Sequence, residues 1–170
     1  MSGLYHQEPN MQNTPNPSQL TPGQLKALYP YQFSGPGVHR MSFARGWMPT
    51  IETMCHEVDE LLHGHLAHHA FQWMGFKEKF GVGRFHYLLR ALDDPLGEAP
   101  DSPETANLKA GLLAIKFKAE ERTKSLCMVC GKPGELVDAP WLLTLCPAHE
   151  AVHLRRDELH AYLTDDGSEA

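Results

Sequence analysis

Residues 127–149 read CMVCGKPGELVDAPWLLTLCPAH, and this stretch decides the fold of the C-terminal part of the chain. It carries two pairs of soft metal ligands, and two residues separate the members of each pair. A two-residue gap lets both members contact one ion, and zinc prefers a tetrahedron of thiolate and imidazole ligands. The spacing therefore predicts one structural zinc ion, Zn2+, bound by Cys127, Cys130, Cys146 and His149.

The residues between and after these ligands fit a treble-clef zinc finger. Gly131 can adopt the positive φ of a tight turn. Residues 135–145 contain two short apolar runs around a turn, which predicts a small hairpin. Cys146 precedes Pro147 at an expected helix start, where the helix dipole favours a thiolate. His153 lies one turn further along this helix and is the alternative fourth ligand.

Upstream of the finger, apolar residues recur every three or four positions from Trp47 to Leu66. This period predicts an amphipathic helix with one buried face. Pro49 and Thr50 mark its first turn. The residues of the expected buried face are Trp47, Ile51, Met54, Cys55, Val58, Leu61, Leu62 and Leu66.

Apolar and mostly polar residues alternate on both sides of Gly81-Val82-Gly83. A period of two predicts strands, and glycines between two such runs predict a turn. We therefore expect a β-hairpin that turns at these glycines. The alternating apolar positions are Phe71, Trp73, Gly75, Phe85, Tyr87 and Leu89.

A second helix is expected to begin at Ser102, whose side chain can cap the first turn, with Pro103 in that turn. Its apolar stripe consists of Leu108, Leu112, Ile115 and Ala119, with Ala110, Leu113 and Phe117 beside it. These elements predict an α+β fold that contains an N-terminal amphipathic helix, a β-hairpin, a second helix and a C-terminal treble-clef zinc finger.

The chain has 170 residues and is 42% apolar, which suffices for one core. We expect a single domain over residues 38–163, with the zinc finger at 125–163. Residues 1–37 are rich in Asn, Gln, Pro, Ser and Gly and predict a disordered arm. Residues 93–101 predict an acidic loop, and residues 164–170 predict an acidic tail.

One stretch within the predicted arm carries the signals of a helix start. Thr21 suits an N-cap, Pro22 suits the first turn and Gln24 completes a capping box, with Leu25 and Leu28 behind them. Two interpretations remain open at this point. The stretch forms a short helix that docks on a partner, or a transient turn that docks on nothing, because helices this short are marginal alone.

Charge and hydropathy exclude several classes of protein. The formal net charge of -6 argues against bulk attraction to nucleic acid or to an anionic membrane. No run approaches the roughly 20 apolar residues that span a bilayer, and the polar start lacks a signal-peptide core. We therefore expect a cytoplasmic protein with no membrane partner, whose cysteines are metal ligands or buried thiols and not disulfides.

Several histidines follow the first amphipathic helix closely. His56, Glu60 and His63 fall on one polar helix face, and His65 and His69 are spaced i, i+4. This spacing can bind a transition metal. The other interpretation is a solvated polar face, because a glycine interrupts the helix between the two sets and no His-Glu-x-x-His motif is present.

Cations and aromatic residues surround the expected hairpin turn and continue on the second helix. They form a candidate face for nucleic acid or a protein partner. The residues of this face are Lys77, Lys79, Arg84, Lys116 and Arg122, with Lys109, Lys118 and Lys124 nearby. Phe80 and Phe85 are expected in the core, and helical lysines commonly only solvate a surface.

Signals for catalysis are weak. The sequence has no Gly-x-Ser-x-Gly motif and no phosphate-binding loop, and Cys55 falls on the apolar side of its helix. Treble clefs also occur in nucleases that carry a histidine on the hairpin, and residues 135–145 contain none. We therefore expect a chain that is not an enzyme.

A series of short motifs runs through the chain. They are Gly46-Trp47-x-Pro49, Cys55, Lys77-Glu78-Lys79-Phe80-Gly81-x-x-Arg84-Phe85-x-Tyr87, Ser125-x-Cys127-x-x-Cys130-Gly131-x-Pro133-Gly134 and Trp141-x-x-Thr144-Leu145-Cys146-x-x-His149. In this order they resemble a family of small zinc-binding proteins from bacteria and their phages. The resemblance covers about residues 46–150 and implies a shared zinc-containing α+β fold, without a particular activity. A weaker resemblance, to DksA-type transcription factors, requires residues 71–92 to be helical.

Taken together, the sequence predicts a zinc-stabilised, non-enzymatic binding module. The expected partner is a host protein, and the expected setting is an accessory factor of a phage or mobile element. The alternative is a protein that binds nucleic acid or modulates transcription through the basic hairpin and the cations of the second helix.

Overall fold

The computed structural model describes residues 20–36, 41–66, 69–92, 102–138 and 141–151. It confirms a mixed α+β fold. Its main elements are α1 (Pro22–Leu28), α2 (Met48–Leu62), β1 (His69–Lys79), β2 (Val82–Ala91), α3 (Pro103–Thr123), β3 (Glu135–Asp138), β4 (Leu142–Leu145) and α4 (Pro147–Glu150). In these ranges, no helix is both long enough and apolar enough to cross a membrane.

Helix α2 buries the predicted apolar face. Ile51, Cys55 and Val58 are fully buried along it. The helix ends at Leu62, four residues before the predicted end at Leu66. The cause is Gly64, two residues after Leu62, because its φ of +83° cannot occur inside an α-helix.

The predicted hairpin is present, with β1 and β2 paired antiparallel. Its turn consists of Phe80 and Gly81, with φ values of 55° and 76°, so the turn begins one residue before the predicted Gly81-Val82-Gly83, and Val82 and Gly83 belong to β2. Two consecutive positive φ values match the right-handed twist of the strands. Phe80 therefore projects outward and is 63% exposed, so its assignment to the core was wrong. The strands also exclude the helical arrangement that the DksA-type resemblance requires.

Aromatic residues make the hairpin the centre of the hydrophobic core. A bulge between Trp73 and Gly75 shifts the strand register, so both Trp73 and Phe76 face the core. The rings of Trp73 and Phe76 meet edge to face at 5.1 Å, and Phe85 packs on Phe76 in the same way at 5.1 Å. Edge-to-face contacts are a favoured geometry for aromatic pairs.

Helix α3 packs against α2 and runs along β2. The side chain of Ser102 caps its N-terminus by accepting a hydrogen bond from the Thr105 backbone, as predicted. Of the predicted stripe, Leu108, Leu112 and Ala119 are buried. The flanking positions Leu113 and Phe117 remain 43% and 50% exposed, so this helix presents apolar side chains to solvent.

The segment 20–36 packs on the folded body, although it lies within residues 1–37, which the sequence predicted as a disordered arm. The capping box of Thr21 and Gln24 is formed, and Leu25 is completely buried in the common core. The short helix therefore docks on the rest of its own chain. The packing of this segment was not predicted from the sequence, because its anchoring residues are few and their contacts are distant in the chain.

Gln32 is the polar anchor of this segment and is fully buried. Its side-chain amide donates a hydrogen bond to the Cys55 carbonyl at 2.9 Å, and its oxygen accepts one from the Trp73 indole at 3.0 Å. Tyr31 beside it donates to Asp59 at 2.9 Å. Buried polar groups must be paired in this way, and here the pairing connects three distant segments.

Other predictions fall on residues that the structure does not describe. These are the outer limits of the domain at residues 38 and 163, the acidic loop 93–101, the acidic tail 164–170 and the alternative ligand His153.

Candidate metal centre

Four potential metal ligands meet at the C-terminal end of the described chain. The donor atoms of Cys127, Cys130, Cys146 and His149 all lie within 4.8 Å of one another. The Nδ1 atom of His149 is 3.5 Å from the Cys127 sulfur and 3.2 Å from the Cys146 sulfur, and the sulfurs of Cys130 and Cys146 are 3.7 Å apart. The arrangement is compatible with one bound metal ion.

The backbone around the first two cysteines forms a tight knuckle. The Gly131 N–H donates to the Cys127 carbonyl at 2.8 Å, and the Cys127 N–H donates to the Lys132 carbonyl at 2.8 Å. Gly131 has a φ of +74°, as its place in the sequence predicted. These bonds turn the chain so that both sulfurs of the pair face the same point.

The second pair is positioned by the strand β4 and the short helix α4. Cys146 is the N-cap of α4, Pro147 occupies its first turn, and the His149 N–H donates to the Cys146 carbonyl at 2.9 Å. This single turn brings the imidazole back over the Cys146 sulfur. The hairpin of β3 and β4 separates the two pairs, as the sequence predicted.

The protonation of the ligands depends on their surroundings. Burial raises the pKa of the Cys130 thiol to about 12. Burial also acts to raise the pKa of Cys146, but hydrogen bonds from the His149 backbone and from the neighbouring cysteines outweigh it, so this pKa is lowered. Burial, followed by the charge of Lys132, lowers the pKa of His149. A neutral imidazole and a thiolate are the forms that bind metal.

A distant segment supports the knuckle from outside. The Gly46 N–H donates to the Met128 carbonyl at 2.8 Å, and the Trp47 indole donates to the Leu126 carbonyl at 3.1 Å. A side chain at Gly46 would place its Cβ 2.1 Å from the Cys127 carbonyl oxygen, so only glycine fits there. The metal centre is thus built against the start of α2.

The finger also contacts the turn of the long hairpin. The Thr144 hydroxyl, which is buried, donates to the Gly81 carbonyl at 2.8 Å. The Thr144 carbonyl in turn accepts from the Met128 N–H at 3.0 Å. One residue of β4 therefore connects the hairpin turn with the knuckle.

The histidines after α2 are not gathered into a second cluster of three or more potential ligands within the described ranges. His56 lies 3.5 Å from Glu60, and His65 lies 2.8 Å from Glu104. His69 is buried and its Nδ1 atom has no hydrogen-bond partner. His56 thus stays beside Glu60 and the rings of His65 and His69 are 6.5 Å apart, but the described part of the chain does not gather these residues into one site.

Two of the predicted binding cations are paired internally. Glu120 is only 3% exposed, and it lies 3.3 Å from the Arg84 guanidinium and 3.1 Å from the Lys116 ammonium. It also accepts the Phe85 backbone N–H at 3.0 Å. Lys118 of α3 pairs with Glu57, and Lys124, the C-cap of α3, pairs with Glu121. Lys77, Lys79 and Arg122 are exposed.

Sequence reasoning missed the structural roles of Gly46, Gln32, Thr144 and Glu120. The signal for Glu120 was weak, because it stands next to the predicted apolar stripe and not within it, and its partners Arg84 and Phe85 are distant in the sequence. No local signal marks the other three, since their partners are distant in the sequence.

Comparison with models of protein families, with curated proteins and with solved structures finds no match for this chain.

Proposed function

We propose that this chain binds one structural zinc ion in a treble-clef arrangement and acts as a non-enzymatic module that binds a protein partner. The observation that carries the zinc proposal is the spacing of the donor atoms. Zinc–sulfur bonds of about 2.3 Å and zinc–nitrogen bonds of about 2.0 Å in a tetrahedron place two sulfurs about 3.8 Å apart and a sulfur and nitrogen about 3.5 Å apart. Three of the six donor–donor separations, 3.7, 3.5 and 3.2 Å, agree to within a few tenths of an ångström, and all six are within 4.8 Å.

The donor set supports a structural role over a catalytic one. Four protein ligands complete a tetrahedral shell, whereas catalytic zinc keeps a position open for water or substrate. Cys127 and Cys146 are also buried, which restricts access to the ion. A knuckle, a hairpin and a helix start in this order support the treble-clef assignment.

Exposed apolar side chains support a protein partner. Large apolar residues that remain accessible on α3 and around the finger are Leu113, Phe117, Phe80, Leu136 and Trp141. Leu113 and Phe117 are neighbours one helical turn apart on α3, and apolar patches on a surface are characteristic of interaction sites. Arg84 and Lys116 are already paired with a buried carboxylate, and the net charge is -6, so two of the five candidate cations offer little to a phosphate backbone. The partner in this proposal is a host protein, met by an accessory factor of a phage or mobile element.

A second candidate function rests on the hairpin tip. Phe80 is 63% exposed and the Lys79 ammonium lies 5.4 Å from its ring centroid, next to the exposed Lys77. An accessible aromatic ring beside cations can stack on the bases of single-stranded nucleic acid. This tip is the only feature of the described surface that we take to favour such a ligand.

Metal analysis tests the zinc proposal. Purified protein is expected to contain one zinc ion per chain, and chelation is expected to remove it together with the folded signal of the finger. Protein with no zinc, or with its fold unchanged after complete chelation, would refute the structural role.

A salt series separates the two partner classes. Mixed-sequence single-stranded oligonucleotides are expected to bind weakly at physiological salt, because few cations are available. Tight binding that falls steeply with salt and is lost in a Lys77→Ala, Lys79→Ala, Phe80→Ser variant would favour nucleic acid instead. Partner capture from the host, followed by rebinding of the purified partner at high salt, tests the protein class directly.

A further inference from the structure

Two histidines of the stretch after α2 lie side by side, although the larger group of histidines is not assembled. The backbone N–H of His69 donates to the His65 carbonyl at 3.0 Å, so the chain forms a turn between them. Their ring centroids are 6.5 Å apart, and the ring planes meet at 68°. The turn therefore holds two imidazole rings together at the junction of α2 and β1.

The first turn of α3 contacts one nitrogen of each ring. The Nδ1 atom of His65 lies 2.8 Å from a carboxylate oxygen of Glu104. The Nε2 atom of His69 lies 3.4 Å from the hydroxyl oxygen of Thr105, which also accepts the Ser102 hydroxyl at 2.9 Å. Two consecutive residues of one helix therefore orient both rings.

The second nitrogen of each ring is available. A neutral imidazole that donates a proton from one nitrogen carries its lone pair on the other. On His65 this second nitrogen is Nε2, and no described residue pairs with it. On His69 it is Nδ1, which is buried and has no hydrogen-bond partner. Because His69 is only 7% exposed, an acceptor left without a partner there is costly.

This arrangement is typical of histidines that bind a metal ion. A ligating histidine usually donates its other ring N–H to a carboxylate, a backbone carbonyl or water, which fixes the tautomer and the orientation of the ring. Glu104 is placed for that role at His65, and the Thr105 hydroxyl is placed for it at His69. An ion between the rings would also give Nδ1 of His69 the partner that it lacks.

The separation of the rings is close to what one ion requires. With metal–nitrogen bonds of about 2.0–2.1 Å, two ligating rings have centroids roughly 5 Å apart at a tetrahedral angle and about 6.4 Å apart on opposite sides of the ion. The rings of His65 and His69, at 6.5 Å, therefore need to approach by only about 1 Å. The side chain of His65 is 34% exposed, so this ring is the one that can move.

We infer that His65 and His69 bind one divalent transition-metal ion, separate from the ion proposed for the finger. Imidazole ligands suit Zn2+, Ni2+ and Cu2+. Two protein ligands leave coordination positions for water or an external ligand, whereas the four ligands of the finger complete a tetrahedral shell. Through Glu104 and Thr105, this ion would connect the junction of α2 and β1 with the start of α3. The inference does not depend on the proposed protein partner.

Nickel ion is the probe, added to full-length protein that has first been saturated with zinc. Equilibrium dialysis with elemental analysis is expected to find one nickel ion per chain, counted separately from zinc. His65→Gln should weaken nickel binding about tenfold or more, because it removes a ligand. Glu104→Gln should weaken it about tenfold, because it removes the carboxylate that orients the His65 ring.

Two exposed residues provide matched controls for these variants. His86→Gln removes an exposed imidazole of β2, and Glu121→Gln removes an exposed carboxylate near the other end of α3. Both variants should bind nickel with wild-type affinity. All four variants should keep the zinc content of the wild type, because none of the four residues belongs to the cluster of the finger.

Nuclear magnetic resonance of the wild-type protein locates the ion without any substitution. Nickel is paramagnetic, so substoichiometric amounts are expected to broaden the imidazole signals of His65 and His69. The signals of His86 should stay sharp. This measurement keeps the inference testable if a variant at the buried His69 does not fold.

Three results would overturn the inference. The first is the absence of bound nickel at concentrations that saturate a dihistidine peptide. The second is wild-type nickel affinity in both His65→Gln and Glu104→Gln. The third is equal broadening of His65 and of the exposed His56 and His86, which would show adventitious binding by surface histidines only. None of these results bears on the finger, whose ion is counted as zinc.

Discussion

The two hairpins of the described chain share an antiparallel topology but differ in what stabilises them. The hairpin of β1 and β2 has strands of 11 and 10 residues and buries Phe71, Trp73, Phe76 and Phe85. The hairpin of β3 and β4 has strands of four residues each, and most of β3 is exposed. The long hairpin supplies the aromatic centre of the core, whereas the short one adds only Leu143 and Leu145 to it.

The difference shows how a small module can be stabilised by few core residues together with contacts to the rest of the chain. A two-stranded hairpin is marginally stable alone in water. The short hairpin is instead flanked by the two ligand pairs and fastened to the long hairpin by Thr144 and to the α2 start by Gly46. We therefore expect metal loss to unfold the short hairpin. The long hairpin should lose stability only at its turn.

Removal of a ligand should have the largest effect. Cys127→Ser is expected to abolish zinc binding and to unfold the finger, because structural zinc sites contribute about 10–16 kcal/mol of apparent binding free energy, comparable with a whole domain's stability. Metal content per chain and hydrogen exchange of β3 and β4 measure the result. The long hairpin should keep most of its protection.

Cys55→Ala is the matched control for this change. Cys55 is the one cysteine outside the ligand cluster, and it is fully buried against the core. The variant should keep one zinc per chain. Equal loss of protection in both hairpins of Cys127→Ser would show that their stabilities are not separable.

The contact between α2 and the knuckle should give the next effect. Gly46→Ala places a methyl group 2.1 Å from the Cys127 carbonyl oxygen and 2.5 Å from the Gly131 nitrogen, so the backbones must separate. We expect a loss of about 3 kcal/mol in the free energy of unfolding and weaker zinc retention against a chelator. Urea denaturation and a chelator competition measure these quantities.

Gly23→Ala provides the comparison for the glycine effect. Its Cβ would meet only the Thr21 hydroxyl at 3.9 Å within α1, so stability should be unchanged or slightly increased. If Gly46→Ala behaves in the same way, the close approach between the α2 start and the knuckle is refuted.

Gln32→Leu tests the part of the fold that lies outside the zinc finger. The change leaves the Trp73 indole and the Cys55 carbonyl without their buried partner, which should lower the free energy of unfolding by about 2 kcal/mol. Zinc content should remain at one ion per chain, because Gln32 does not contact the finger. A variant that loses zinc would contradict the expectation that the zinc finger does not depend on Gln32.

Loss of the first helix cap should have the smallest effect. Thr21→Ala removes the acceptor for the Gln24 N–H and should cost about 1 kcal/mol. The loss should appear in the global unfolding transition, because Leu25 of the same helix is completely buried in the common core. Local fraying of residues 20–36 without a change in the global transition would mean that this segment adds little to the core.

Local patterns predicted much of the fold. The ligand spacing, the cap at Ser102 and the period of α2 each depend on residues a few positions apart, so they are readable from the sequence. The same holds for the hairpin, whose alternation identified both strands. Its turn was misplaced because the two glycines were taken to bound it, whereas Phe80 occupies its first position and Gly83 lies in β2.

The sequence by itself determined which residues can hold a metal and where helices and strands form, because these properties depend on short-range geometry and on side-chain period. Tertiary structure alone decided that Gln32 draws residues 20–36 into the core and that Glu120 neutralises Arg84 and Lys116. These outcomes depend on contacts between residues more than 20 positions from each other in the sequence. The one exception is the ion pair of Lys116 and Glu120 within α3. A buried polar group needs a hydrogen-bond or ion-pair partner, and only the folded chain determines which residue that partner is.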